Sequence, residues 1–177
     1  MTAQVLVAFA TKYGATAEIA EKIGRVIRGA GLTVDVTPVH SVRDPDTYQA
    51  VVLGSAVYIG QWRREASGFI KSNEKVLAGM PVWLFSSGPT GSGDPVALQQ
   101  GWRFPKALQP IADRIKPREI TVFHGALDIN KLGFVEKWMV NNVKAAFGDF
   151  RDWDAITAWA GAIAGALKKE IPLNYYG

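Results

Sequence analysis

The chain has 177 residues, of which 48% are hydrophobic, 11% aromatic and 20% charged, with 18 Gly and 9 Pro; this is the composition of one globular domain with a single packed core, far from disordered or fibrous chains. The absence of Cys excludes disulfides, thiolate metal sites, cysteine-ligated iron–sulfur clusters and a cysteine nucleophile, so redox chemistry would need an organic cofactor. The formal charge of +4 is spread over both halves with no basic tail, a mildly basic solvated surface rather than a nucleic-acid arm.

The two histidines, His40 and His124, lie too far apart for a helical or hairpin ligand spacing, and no metal centre is expected. Met1 to Ala10 has neither a basic start nor a long apolar region, and no apolar run reaches the roughly 18 residues of a membrane span, so a cytoplasmic location is expected.

In chain order, Val5 to Ala10 is a short apolar run suited to a central strand buried on both faces. Thr11 to Thr16 forms a loop, and Ala17, Ile19, Ala20, Ile23, Val26 and Ile27 recur at helical spacing until Gly29 and Gly31. Strands follow over Leu32 to Val36 and Tyr48 to Ser55, then a helix over Glu65 to Leu77. Pro81 introduces a fourth strand, Val82 to Phe85, which runs into the Gly-rich stretch Ser86 to Pro95. A helix around Lys106 to Ile115 and a fifth strand over Glu119 to Leu127 come next. The last helix begins near Asp152 and turns Ile156, Trp159, Ala160, Ile163 and Leu167 to the sheet. Strands alternating with helices predict an α/β fold, a doubly wound five-stranded parallel sheet with right-handed crossovers. One segment, about 128–150, breaks the alternation and reads as an insertion after the fifth strand within a single domain spanning 1–177.

Ligands of such sheets bind beyond the carboxyl ends of the strands, where the winding reverses. The first strand's loop, Thr11, Lys12, Tyr13, Gly14, Ala15 and Thr16, opens a helix, so free backbone N–H groups and the positive helix end make an anion seat there. Two Thr hydroxyls can donate to phosphate oxygens, Gly14 permits close approach, and Lys12 adds charge. The spacing matches neither G-x-x-x-x-G-K-S/T nor G-x-G-x-x-G, which favours a monophosphate over a triphosphate or dinucleotide. The third strand's loop holds Ser55, Ala56, Val57, Tyr58, Ile59, Gly60 and Trp62, with Tyr58 or Trp62 able to stack on a flat ring. The fourth strand's loop, Ser86, Ser87, Gly88, Pro89, Thr90 and Gly91, offers backbone donors and room for a ring edge. No side-chain acid or base stands out as catalytic.

Thr-x-x-Gly-x-Thr after the first strand resembles the flavin mononucleotide (FMN) phosphate loop of flavodoxins, commonly S/T-x-T-G-x-T, with Tyr13 in place of a frequent Thr. The second and third loops resemble the flavin-ring loops of that family. The resemblance implies a flavodoxin-like sheet of order 2-1-3-4-5, FMN as cofactor held by the three loops, and electron transfer with a redox partner. Gly54 to Gly60, Gly125-Ala126-Leu127, Gly148-Asp149, Asp152-Trp153 and the insertion are similar to the flavodoxin-like protoporphyrinogen dehydrogenase group, which implies an oxidoreductase with a quinone acceptor and a porphyrinogen-type substrate. A one-electron carrier and a flavodoxin-fold interaction protein are the alternatives; carriers of this family are usually strongly acidic, unlike this chain.

Within the insertion, Val135, Trp138, Met139, Val143, Ala146 and Phe147 fall at helical spacing, with Lys137, Asn141 and Lys144 elsewhere. This amphipathic stretch either covers the core or docks 131–147 to a membrane surface or partner, with Trp138 and Phe147 as anchors. A second basic group, Arg103, Lys106, Arg114, Lys116 and Arg118, reads as a solvated face or a patch for an acidic partner.

Overall fold

Six successive apolar residues, Val5–Ala10 (β1), are all buried, and successive side chains of a strand point to opposite faces. Val5, Val7 and Phe9 join one hydrophobic cluster, and Leu6, Ala8 and Ala10 join another on the far side. This division organises the computed structural model, which describes residues 4–142 and 145–171. The elements after β1 are α1 (Ala15–Gly29), β2 (Val34–Pro38), β3 (Ala50–Tyr58), β4 (Gln61–Trp62), α2 (Arg64–Ser72), α3 (Glu74–Ala78), β5 (Val82–Ser87) and α4 (Pro95–Leu98). They continue with α5 (Gln109–Ile115), β6 (Glu119–Phe123), β7 (Ala126–Leu127), α6 (Phe134–Asn142), β8 (Gly148–Asp149) and α7 (Trp153–Glu170).

The main sheet runs β2-β1-β3-β5-β6 with every one of these pairs parallel, and the short β4 pairs antiparallel with β3. Leaving β4 aside, this is the expected 2-1-3-4-5 order. Helices α1 and α7 cover one face through Ile19, Ile23, Ile27, Trp159, Ile163 and Leu167. Residues of α2, α3 and α5, among them Phe69, Ile70, Leu77, Ile111 and Ile115, cover the other. Asp152 caps α7 as expected, its side chain accepting from the backbone N–H groups of Asp154 and Ala155.

Several boundaries differ from the sequence reading, each for a local reason. The second strand lies at Val34–Pro38 rather than Leu32 to Val36, because its register is set by pairing Val34 with Val5 and Pro38 with Phe9. The third strand runs on to Tyr58, because Val57 and Tyr58 pair with Trp62 and Gln61 across a two-residue turn at Ile59 (φ 49°) and Gly60 (φ 67°). Positive φ at both turn residues is what a tight hairpin demands. Part of the predicted loop is thus hairpin. The helix expected over Glu65 to Leu77 divides at Asn73, which leaves helical geometry (φ −109°, ψ 16°) while its backbone N–H and its Nδ2 both donate to the Phe69 carbonyl, at 3.1 and 2.9 Å. Ser86 and Ser87 belong to β5 and not to the following loop.

The fifth strand stops at Phe123 instead of Leu127. The His124 ring nitrogens lie 3.2 and 2.8 Å from the Pro89 and Gly93 carbonyls, and the Gly125 N–H donates to the Pro89 carbonyl at 3.0 Å. Held there, the chain leaves the sheet, and Ala126–Leu127 pairs antiparallel with Gly148–Asp149 at the two ends of the inserted segment. The insertion is therefore closed at its base by a separate two-stranded ribbon.

Two of the five cations in the basic group, Arg114 and Arg118, are already paired. Arg114 forms a bidentate pair with Glu74, and Arg118 pairs with Glu170 while lying over the Trp83 ring at 5.3 Å.

Candidate functional site

The carboxyl ends of β1, β3 and β5 converge on a cavity of about 840 Å³, within the range of small-molecule sites. Thr11, Lys12, Tyr13, Ala15 and Thr16 line it from the first loop; Ala56, Val57, Tyr58, Ile59 and Trp62 from the hairpin; Ser87, Gly88 and Thr90 from the third. The remaining sequence candidates, Gly14, Ser55, Gly60, Ser86, Pro89 and Gly91, do not line it; Ser55 and Ser86 are buried beside it.

Their roles follow from their contacts. Gly14 adopts φ 95° at the start of α1 and donates its N–H to Thr11 Oγ1 at 3.0 Å, so the Thr11 hydroxyl shapes the loop from within. No side chain caps α1, which leaves its first N–H groups and the positive helix end to the cavity. Ser55 Oγ donates to the Ala56 carbonyl and accepts from the Arg63 N–H, bracing the hairpin. A Cβ on Gly88 would stand 3.2 Å from Val57, and one on Gly125 would stand 3.1 Å from Gly88 Cα; the three backbones approach this closely only because both residues are glycine.

Trp62 is only 4% exposed and meets the Phe104 ring edge-on at 4.9 Å, so of the two aromatics offered for stacking Tyr58, at 41%, is the accessible one. Burial and the neighbouring Tyr13 push the Tyr58 phenol up to about 12. The Tyr13 hydroxyl, at the cavity wall, is shut from solvent with no hydrogen-bond partner. Lys12 is not a solvated loop charge: its ammonium pairs with Glu136 and lies 5.1 and 5.9 Å from the Tyr13 and Tyr58 ring centres.

Glu136 belongs to the insertion, which the sequence reading had not brought to the cavity. Leu127, Leu132, Met139, Val140 and Ala145 line the same space, and nothing in the local pattern signals this, because the contact spans more than a hundred residues. Of the two readings of this stretch, covering the core does not hold for α6: none of its residues is buried, with Phe134 90%, Val135 67% and Trp138 66% exposed. Val143 and Lys144, also assigned to that stretch, lie outside the described residues. Arg151, following β8, joins the insertion's base to α1 by a bidentate bond to Asp149, a pair with Glu18 and a bond to the Ala15 carbonyl.

Among the described residues no group of three or more His, Asp or Glu could hold a metal, and no helix is long and apolar enough to cross a membrane. The family described as "Flavodoxin domain" matches residues 6–154. The chain belongs to the flavodoxin family. A curated relative, protoporphyrinogen IX dehydrogenase (quinone) of Escherichia coli K12, is 22% identical over 172 residues, 91% of this chain and 94% of the relative. Among solved structures, a flavodoxin from the domain Archaea superposes with TM-score 0.59 at 14% identity, covering 93% of this chain and 98% of that one. Flavodoxin 2 from Bacillus cereus gives 0.56 at 18% identity, over 96% and 100%. Rubredoxin oxygen:oxidoreductase of Desulfovibrio gigas gives 0.60 at 13%, over 95% of this chain and 37% of that one.

Membership of the flavodoxin family implies a flavin, and the residues present fit one. The uncapped helix start is suited to a phosphate tail, while the paired glycines and the apolar hairpin leave a slot of the right character for a flat ring.

Proposed function

We propose that this flavodoxin is an FMN-dependent oxidoreductase that passes electrons to a quinone at a membrane surface, with a reduced porphyrin-type compound as donor. One observation carries the reading: a single cavity runs from the uncapped start of α1 to apolar residues of the inserted helix α6. The name of the 22%-identical relative supports the substrate and acceptor classes.

In this reading the amides of Ala15 and Thr16, with Thr11 and Lys12 beside them, hold the phosphate. Ala56 to Ile59 and Ser87 to Thr90 receive the ring, with Tyr58 against it. When bound, FMN supplies the acceptance and release of electrons. Met139 and Val140 keep the outer end of the cavity apolar, and Phe134, Val135 and Trp138, exposed on the same helix, dock to the bilayer that contains the quinone. The chain's net charge of +4 suits an anionic lipid surface.

The test is a fluorescence titration with FMN followed by anaerobic reduction and addition of a quinone. Bound FMN with quinone turnover supports the reading. Protein that takes up no FMN overturns it, and FMN reduction without quinone turnover reassigns the protein as a carrier.

A further inference from the structure

Lys12 and Glu136 approach the cavity from different parts of the chain, Lys12 from the loop before α1 and Glu136 from the first turn of α6. Their ion pair is supported on both sides. Glu136 Oε2 accepts the Gly133 N–H at 2.8 Å, fixing the carboxylate to the start of α6. The Lys12 ammonium is flanked by the Tyr13 and Tyr58 rings at 5.1 and 5.9 Å. A second tie runs parallel, Lys131 Nζ donating to the Tyr13 carbonyl at 3.4 Å. Two contacts thus join the insertion to the loop that forms the anion seat.

We infer that Glu136 is a positioning residue that latches the inserted segment onto this loop by holding the Lys12 ammonium, and so sets how strongly the phosphate end of a ligand is bound. The inference rests on the proposed phosphate seat at α1. One ammonium then has two claimants, the Glu136 carboxylate and the bound phosphate. A phosphorylated ligand must draw Lys12 from Glu136, whereas a ligand with the same ring and no phosphate leaves the pair intact. The latch therefore acts on the phosphate increment alone, and occupancy of the seat loosens α6 at its first turn.

FMN and riboflavin separate the two effects. Glu136→Gln keeps an oxygen for the Gly133 N–H while removing the charge, so the start of α6 is preserved. Dissociation constants for both flavins are measured by fluorescence quenching in the wild type, Glu136→Gln, Lys12→Met and the double variant, with far-UV circular dichroism to confirm folding. The expected result is about fivefold tighter FMN in Glu136→Gln, the scale of a partly exposed ion pair, with riboflavin unchanged. In the Lys12→Met background the same substitution should bring no gain. Equal tightening of both flavins, an unchanged FMN-to-riboflavin ratio, or the full gain persisting without Lys12 would each overturn the latch. A wild type that binds neither flavin removes the proposed function itself, an outcome distinct from a failed latch.

Discussion

Trp62 Nε1 donates to Ser86 Oγ at 2.9 Å inside the core. The same hydroxyl donates to the Arg103 carbonyl at 3.1 Å, so one buried oxygen links the β3–β4 hairpin, the end of β5 and the chain leading to Phe104. Both residues sit in segments that the sequence marks for ligand contact. Ser86 is fully buried and Trp62 nearly so, and each satisfies the other.

Ser86→Ala should consequently destabilise the fold without weakening flavin binding much. It leaves the Trp62 N–H and the Arg103 carbonyl without their partner, a loss of about 1–3 kcal/mol. A thermal melt should show the midpoint falling by several degrees, while an FMN titration stays within a factor of two or so of the wild type. A large loss of affinity with an unchanged melt would refute this assignment.

Two glycine-to-alanine changes should have opposite signs. A Cβ on Gly54 would stand 2.0 Å from Phe85 Cζ, and Phe85 cannot retreat because Phe123 and Trp159 pack against it at 5.9 and 6.1 Å. Gly54→Ala should cost about 3 kcal/mol. Gly161, exposed in α7, has nothing within 4 Å of an added Cβ, so Gly161→Ala should stabilise by about 0.5–1 kcal/mol. Denaturant midpoints of the two variants on either side of the wild type would bear this out.

Acid sensitivity should include a contribution from the base of the insertion. The guanidinium of Arg151 holds the Asp149 carboxyl below its ordinary value of 3.8. A depressed folded-state pKa stabilises above the unfolded value, and that stabilisation is lost as pH falls through the folded value. The wild type should therefore lose stability relative to Asp149→Asn as pH drops below about 4. The effect should be modest, because the Asp149 side chain is half exposed. Denaturant melts of both proteins across the acid range measure it; parallel curves would contradict it.

The exposed helix α6 should be separable from folding. Phe134 and Trp138 are 90% and 66% exposed, so Phe134→Ser with Trp138→Ala should leave stability within about 0.5 kcal/mol per site. Under the proposed docking role, the same variant should lose sedimentation with anionic vesicles. A sharp fall in melting temperature would show that the helix is covered in solution.

The strand–helix alternation was legible because it is a local matter of periodicity: β1 is apolar at every position, and Asp152 precedes the apolar spacing of α7. Gly14 and its neighbouring threonines likewise marked a loop that opens a helix, since turn chemistry is written in a few adjacent residues; that no side chain caps it was visible only in the structure. The break after Phe123, the hairpin at Ile59–Gly60 and the division at Asn73 escaped because each is settled by hydrogen bonds that apolar spacing does not reveal.

What residue order alone determined here is the layered architecture and the side of the sheet on which a ligand would sit, since both follow from short-range pattern and chain handedness. Which residues line the cavity at that edge was decided only by folding. Burial turned Trp62 and Ser86 toward each other, and a two-stranded ribbon closed the insertion so that Glu136 came within reach of Lys12. Pairings between residues more than a hundred positions apart depend on where packed elements bring them in space, and no local spacing encodes that.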